Sequence, residues 1–135
     1  METESERAPL LARCLRLNAL ALAFSLTHVI ADYGLVGAAP QAALAGYLAI
    51  AGAVYGWWGW SLARAAGDGR SGLANLLALS GGWAVLHGAT FVFTPLTNLP
   101  ADVIHFGSLL FGVWAAYATW RVLRAGRAAR AAYVR

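Results

Sequence analysis

In the apolar body of this chain, His28, Asp32, His87, Asp102 and His105 are the side chains best able to ligate a metal or pass a proton. His28 and Asp32 stand four residues apart and Asp102 and His105 three apart, so each pair shares one face of a helix. Imidazole nitrogens joined by a carboxylate, as a further ligand or as an orienting partner, suit zinc, iron or copper. The expectation is a transition-metal site with His28, His87 and His105 as ligands and Asp32 or Asp102 beside them. Two histidines on facing helices would serve a b-type haem as well, with Phe91, Phe106 and Phe111 around the porphyrin. No C-x-x-C-H occurs, which excludes covalent haem attachment. A further chemistry needs no metal: a His–Asp pair one turn apart can relay protons or hold a quinone head group. The plainest reading is structural, with histidines bonding between helices and Asp102 favoured at a helix N-terminus. The protein would then be a non-catalytic membrane subunit or packing partner of a larger complex.

These residues belong to longer polar stripes. Asn18, Ser25, His28 and Asp32 form one; Ser80, Trp83, His87, Thr90 and Thr94 a second; Asp102, His105, Ser108 and Gly112 a third. All follow helical spacing, so three of four expected helices carry one polar face each. In a membrane such faces turn inward, because an ionisable group against lipid costs a few kcal/mol or more. At 1.5 Å per residue, His28 lies about 18 Å from Arg16, His105 roughly 24 Å from Arg121 and His87 about 25 Å from Arg70. The three histidines therefore share a level in the outer half of the membrane. The inner half offers only Asn18, Asn75, Ser80 and Thr119, too sparse for a transmembrane proton path.

The elements that must position these groups follow from composition. Hydrophobic residues make up 60% of the 135 and charged residues 12%, against roughly half and a quarter in soluble domains. So small a globule cannot hide that excess. No charge occurs between Asp32 and Arg64, between Arg70 and Asp102, or between Asp102 and Arg121. Each gap holds a helix of about 20 residues, enough for a bilayer core of ~30 Å. The expected fold is an all-α, integral membrane four-helix up-down bundle. Its spans fall at about 12–34, 41–63, 72–94 and 102–124, within a domain at 11–124. Residues 1–10 read as a disordered polar N-terminus, and 125–135 as an Arg-rich cytoplasmic tail able to meet anionic lipids.

The net charge of +4 comes from ten arginines, with no lysine. Arg7, Arg13 and Arg16 precede the first span, Arg64 and Arg70 flank the middle connection, and the other five follow the last. Under the positive-inside rule both termini are cytoplasmic, in the cell's inner membrane. Arginines placed by topology leave no footprint for nucleic acid. A cleaved signal ending near residues 37–40 is the rival to a retained first helix, whose polar stripe argues for retention. Cys14 lacks the preceding apolar run of a lipoprotein site. Trp57, Trp58, Trp60 and Trp120 suit interfacial anchoring. Gly52 and Gly56 form a G-x-x-x-G pair through which a second copy or a membrane partner could pack, and Ser108, Gly112 and Ala116 repeat the small-residue pattern. No phosphate loop, no scaffolded Ser/His/Asp triad and no H-E-x-x-H occurs, so an enzyme is the weaker expectation.

Overall fold

The computed structural model describes the backbone of residues 4–36, 41–67, 69–93 and 99–133. Within these it describes the side chains of 7–27, 45, 46, 48–67, 69–89, 91–93, 102–128 and 131. Every element among them is a helix: α1 (Glu4–Val36), α2 (Gln41–Ala66), α3 (Arg70–Phe93) and α4 (Leu99–Tyr133). Alanine and leucine recur in all four, and both propagate helix well. A helix also satisfies its own backbone polar groups, as an apolar solvent requires.

Three helices are long and apolar enough to cross a membrane: α1 over Arg7–Thr27, α3 over Arg70–Phe93 and α4 over Asp102–Ala128. Over its described residues α2 falls short of that measure, although it carries no charge before Arg64. Its middle is diluted by Gly46, Gly52, Gly56 and Gly59 and by indole and phenol rings, whose transfer preference is interfacial rather than strongly apolar. Helix also extends into both terminal segments. The N-terminal segment is helical from Glu4, with Glu4 and Glu6 at the favourable end of the helix dipole. Pro9 lies inside this helix and has no N–H to give the Ser5 carbonyl. The arginine-rich tail continues α4 to Tyr133, because alanine and arginine are both strong helix formers and cations suit a helix C-terminus.

α4 packs against α1 and α3, and α2 packs against α3 and less extensively α1. Contact between α1 and α3 is slight, and α2 and α4 do not meet among the described residues. α2 stops at a Schellman-type turn in which Gly69 N–H donates to the Arg64 carbonyl at 3.0 Å. Gly69 in turn accepts from Leu73 N–H at 3.2 Å, so α3 starts at once and folds back along α2. Cys14, Trp58, Ala65, Leu73, Leu76, Ala118 and Val122 share one apolar cluster. The segments of all four helices that carry Arg13, Arg64, Arg70 and Arg121 are thereby gathered around this cluster.

Beside the apolar cluster, polar side chains are buried and large apolar ones are exposed. Asn18, Ser25, Ser61, Ser80, His87, Ser108 and Thr119 are buried, while Ile50, Val92 and Phe93 are 69%, 75% and 83% exposed. An apolar exterior of this extent matches lipid rather than water. Small residues bring the helices close enough to exclude lipid between them. A methyl group on Gly112 would come within 3.2 Å of Ala84 Cβ and the Ser80 carbonyl oxygen, so α3 and α4 touch backbone to backbone there. One on Gly107 would come within 2.5 Å of the Phe24 ring, which fixes α1 on α4. Gly52 and Gly56, by contrast, are exposed with nothing near them. They play no part in packing within the chain.

Candidate functional site

The close approach at Gly112 sets the geometry two turns further along, where α3 presents His87 and α4 presents His105. Their Nδ1 atoms lie 2.9 Å apart and the ring centroids 5.1 Å apart. His87 is only 2% exposed, and His105 is half-buried. A nitrogen–nitrogen contact of that length is a hydrogen bond, in which one Nδ1 donates and the other must be deprotonated to accept. The pair is framed by rings. Trp83, one turn before His87, meets it edge-on at 4.8 Å, and Phe91, one turn after, stands edge-on to His105 at 6.4 Å. Trp83 also touches Tyr55 and Trp58 of α2. The Tyr55 hydroxyl donates to the Ser25 carbonyl of α1 at 3.1 Å, so all four helices converge around this level.

Of the five residues singled out in the sequence, the fold brings two into contact. Asp102 is half-buried in the first turn of α4, where the helix dipole favours a carboxylate. It does not complete a ligand set with the imidazoles: no group of three His, Cys, Asp or Glu side chains gathers among the described residues. His28 and Asp32 lie in α1, but their side chains are outside the described residues.

The pair's geometry discriminates between the cofactors that histidines can hold. Two imidazole nitrogens on one tetrahedral ion, with bonds of 2.0–2.1 Å, stand roughly 3.3 Å apart. The rings need open by only a few tenths of an ångström to reach that spacing. Axial haem ligands stand on opposite faces of the porphyrin with iron and macrocycle between them. Facing nitrogens at 2.9 Å admit neither, so His87 and His105 together are not an axial pair in this arrangement.

A second polar cluster lies toward the arginine-bearing end, between α1 and α4. Asn18 Nδ2 donates to Thr119 Oγ1 at 2.9 Å and to the Cys14 carbonyl at 3.0 Å. The Thr119 hydroxyl donates to the Ala115 carbonyl at 2.7 Å, which leaves its oxygen to accept from Asn18 and from the Cys14 thiol at 3.3 Å. Ser25 and Ser80 likewise return their hydroxyls to carbonyls one turn back, at 2.7 and 2.6 Å. Asn18 and Thr119 were visible in the sequence as polar residues in an apolar run. Cys14 was not, although its spacing of four from Asn18 was the available signal. This cluster ties two helices together and presents no open face for a ligand.

No protein-family model, no curated protein and no solved structure matches this chain.

Proposed function

We propose that the chain is a four-span, up-down helical protein of the cytoplasmic (inner) membrane, and that its His87–His105 pair is the centre of a transition-metal site. The 2.9 Å contact between two Nδ1 atoms on different helices carries this reading. It sets two ligands at a spacing that an ion meets with little movement, inside a shell of aromatic rings that limits access of water. The third ligand is His28, with Asp32 as a further ligand or orienting partner; Asp102, which does not gather with the imidazoles, is left outside the ligand set. One contact supports His28: Phe24, one turn before it, packs on Gly107, two residues after His105. The gathering of arginine-bearing segments from all four helices around one cluster supports a cytoplasmic location for that level and both termini. α2 supports a fourth crossing by being uncharged up to Arg64 and by packing on two helices that are long and apolar enough to cross.

The test is cobalt(II) titration of the protein purified in mild detergent, read by visible absorption and elemental analysis. One ion per chain is expected, lost in His87→Ala and in His105→Ala and weakened at least tenfold in His28→Ala, since losing a ligand costs no less than losing an outer-shell partner. Binding that survives both His87→Ala and His105→Ala, or a wild-type protein that takes up no metal, overturns the site.

The same distance favours a second reading, that the imidazole pair is itself the functional unit and shares a proton between α3 and α4. In that case the protein is a proton- or quinone-handling component, or a packing subunit of a larger assembly. An Nδ1–H resonance shifted far downfield, lost in either single variant of the metal-free protein, distinguishes it.

A further inference from the structure

Four of the arginines divide into two kinds. Arg64 and Arg124 lie over the rings of Trp60 and Trp120, each 5.3 Å from the centroid, as cations stacked at an interface do. Arg13 and Arg121 instead come from different helices to line one groove of about 200 Å³ between α1 and α4. Its walls are Leu10, Leu17, Trp114 and Tyr117. Both guanidiniums are exposed, and among the described residues neither has an acidic partner. The groove thus joins two fixed positive charges to an apolar and aromatic trough, on a face the proposed membrane embedding turns to lipid.

We propose that this groove binds an anionic glycerophospholipid. The phosphodiester sits between Arg13 and Arg121, each able to give a forked pair of N–H bonds to phosphate oxygens. An acyl chain runs from there toward the bilayer centre along Leu17 and the Trp114 ring, Leu10 closes the groove on the terminal side of Arg13, and the Tyr117 hydroxyl is placed at head-group level. A zwitterionic lipid offers the same phosphate but brings a cation against two guanidiniums. Selection is therefore for net negative charge, and basic pockets between membrane helices have this chemistry generally. A soluble phosphate would use the arginines and leave the trough empty, which is why the two-part lining points to lipid. The inference rests on the membrane reading but not on the histidine site.

The test is native mass spectrometry of the full chain in mild detergent, titrated with dioleoyl phosphatidylglycerol or dioleoyl phosphatidylcholine. One phosphatidylglycerol per chain is expected, held about tenfold or more tightly than phosphatidylcholine, with that preference lost in Arg13→Gln/Arg121→Gln. Arg16→Gln/Arg127→Gln, which removes two exposed charges outside the groove, should retain it, and circular dichroism checks that both variants keep their helices. Equal affinity for the two lipids overturns the proposal, as does equal loss in both double variants, which would mean diffuse surface charge. Displacement of the lipid by millimolar inorganic phosphate overturns the lipid assignment. His87→Ala/His105→Ala should keep the lipid, separating this site from the metal reading. Release of the chain from membranes by alkaline carbonate would overturn the membrane reading itself.

Discussion

Thr119 does more than its size implies. Its oxygen accepts from Asn18 and from Cys14 while its proton goes to Ala115, so one hydroxyl holds two helices and satisfies two buried donors. Thr119→Val keeps the shape and removes all three bonds, leaving an amide N–H and a thiol facing a methyl group. The expected loss is about 1–2 kcal/mol, the scale of interhelical polar contacts in apolar surroundings. It should appear as an earlier midpoint when the detergent-solubilised protein is titrated with sodium dodecyl sulfate and followed by circular dichroism. Much of this scale was legible in the sequence. The 3–4 rhythm of Asn18 and Ser25, of Ser80 and His87, and of Ser108 and Gly112 identified faces that are indeed buried. Which members of the faces touch was not legible, because helical spacing fixes rotation about one axis but not the offset between neighbouring helices. His87 and His105 meet and Asp102 stays apart for that reason.

At the scale of the helix, two sets of small residues that look alike in sequence behave differently. Gly112 lies under Ala84 and the Ser80 carbonyl, whereas Gly52 and Gly56 face outward. Gly112→Val should therefore push α3 from α4 and destabilise the protein by about 1–3 kcal/mol. It should also part the imidazoles and weaken metal binding more than tenfold in the cobalt titration. A Cβ on Gly52 meets nothing within 4 Å, so an outward side chain in Gly52→Ile should change stability by less than about 0.5 kcal/mol. A shift from dimer to monomer in that variant, measured by analytical ultracentrifugation, would assign the outward glycines to pairing between copies. A G-x-x-x-G spacing states only that close approach is allowed. The partner is decided by where the helix sits, which no single helix encodes. Helix ends were the least legible elements, since alanine, glutamate and arginine continue a helix into water as readily as they flank a span.

In the proposed up-down bundle, the described helices run from a level carrying arginines to a level carrying the ring-lined imidazoles. The sequence displayed this order through its charge gaps, because topology acts on residues counted along the chain rather than on contacts. It also led to an equal weighting of four spans, whereas over the described residues α1, α3 and α4 are long and apolar enough to cross and α2 is not. If the arginine end is cytoplasmic, a fluorescent reporter fused after Arg135 should fold and fluoresce, and an export-dependent phosphatase at the same position should be inactive. The opposite pattern would invert the orientation and place the lipid groove in the outer leaflet. The chain's single thiol gives this axis an internal witness. Cys14 has no exposed surface and is sealed behind Thr119, so an oxidant or alkylating agent reaches it only when α1 and α4 separate. A sulfur with no access in the native packing is a gauge of how often that seam breathes.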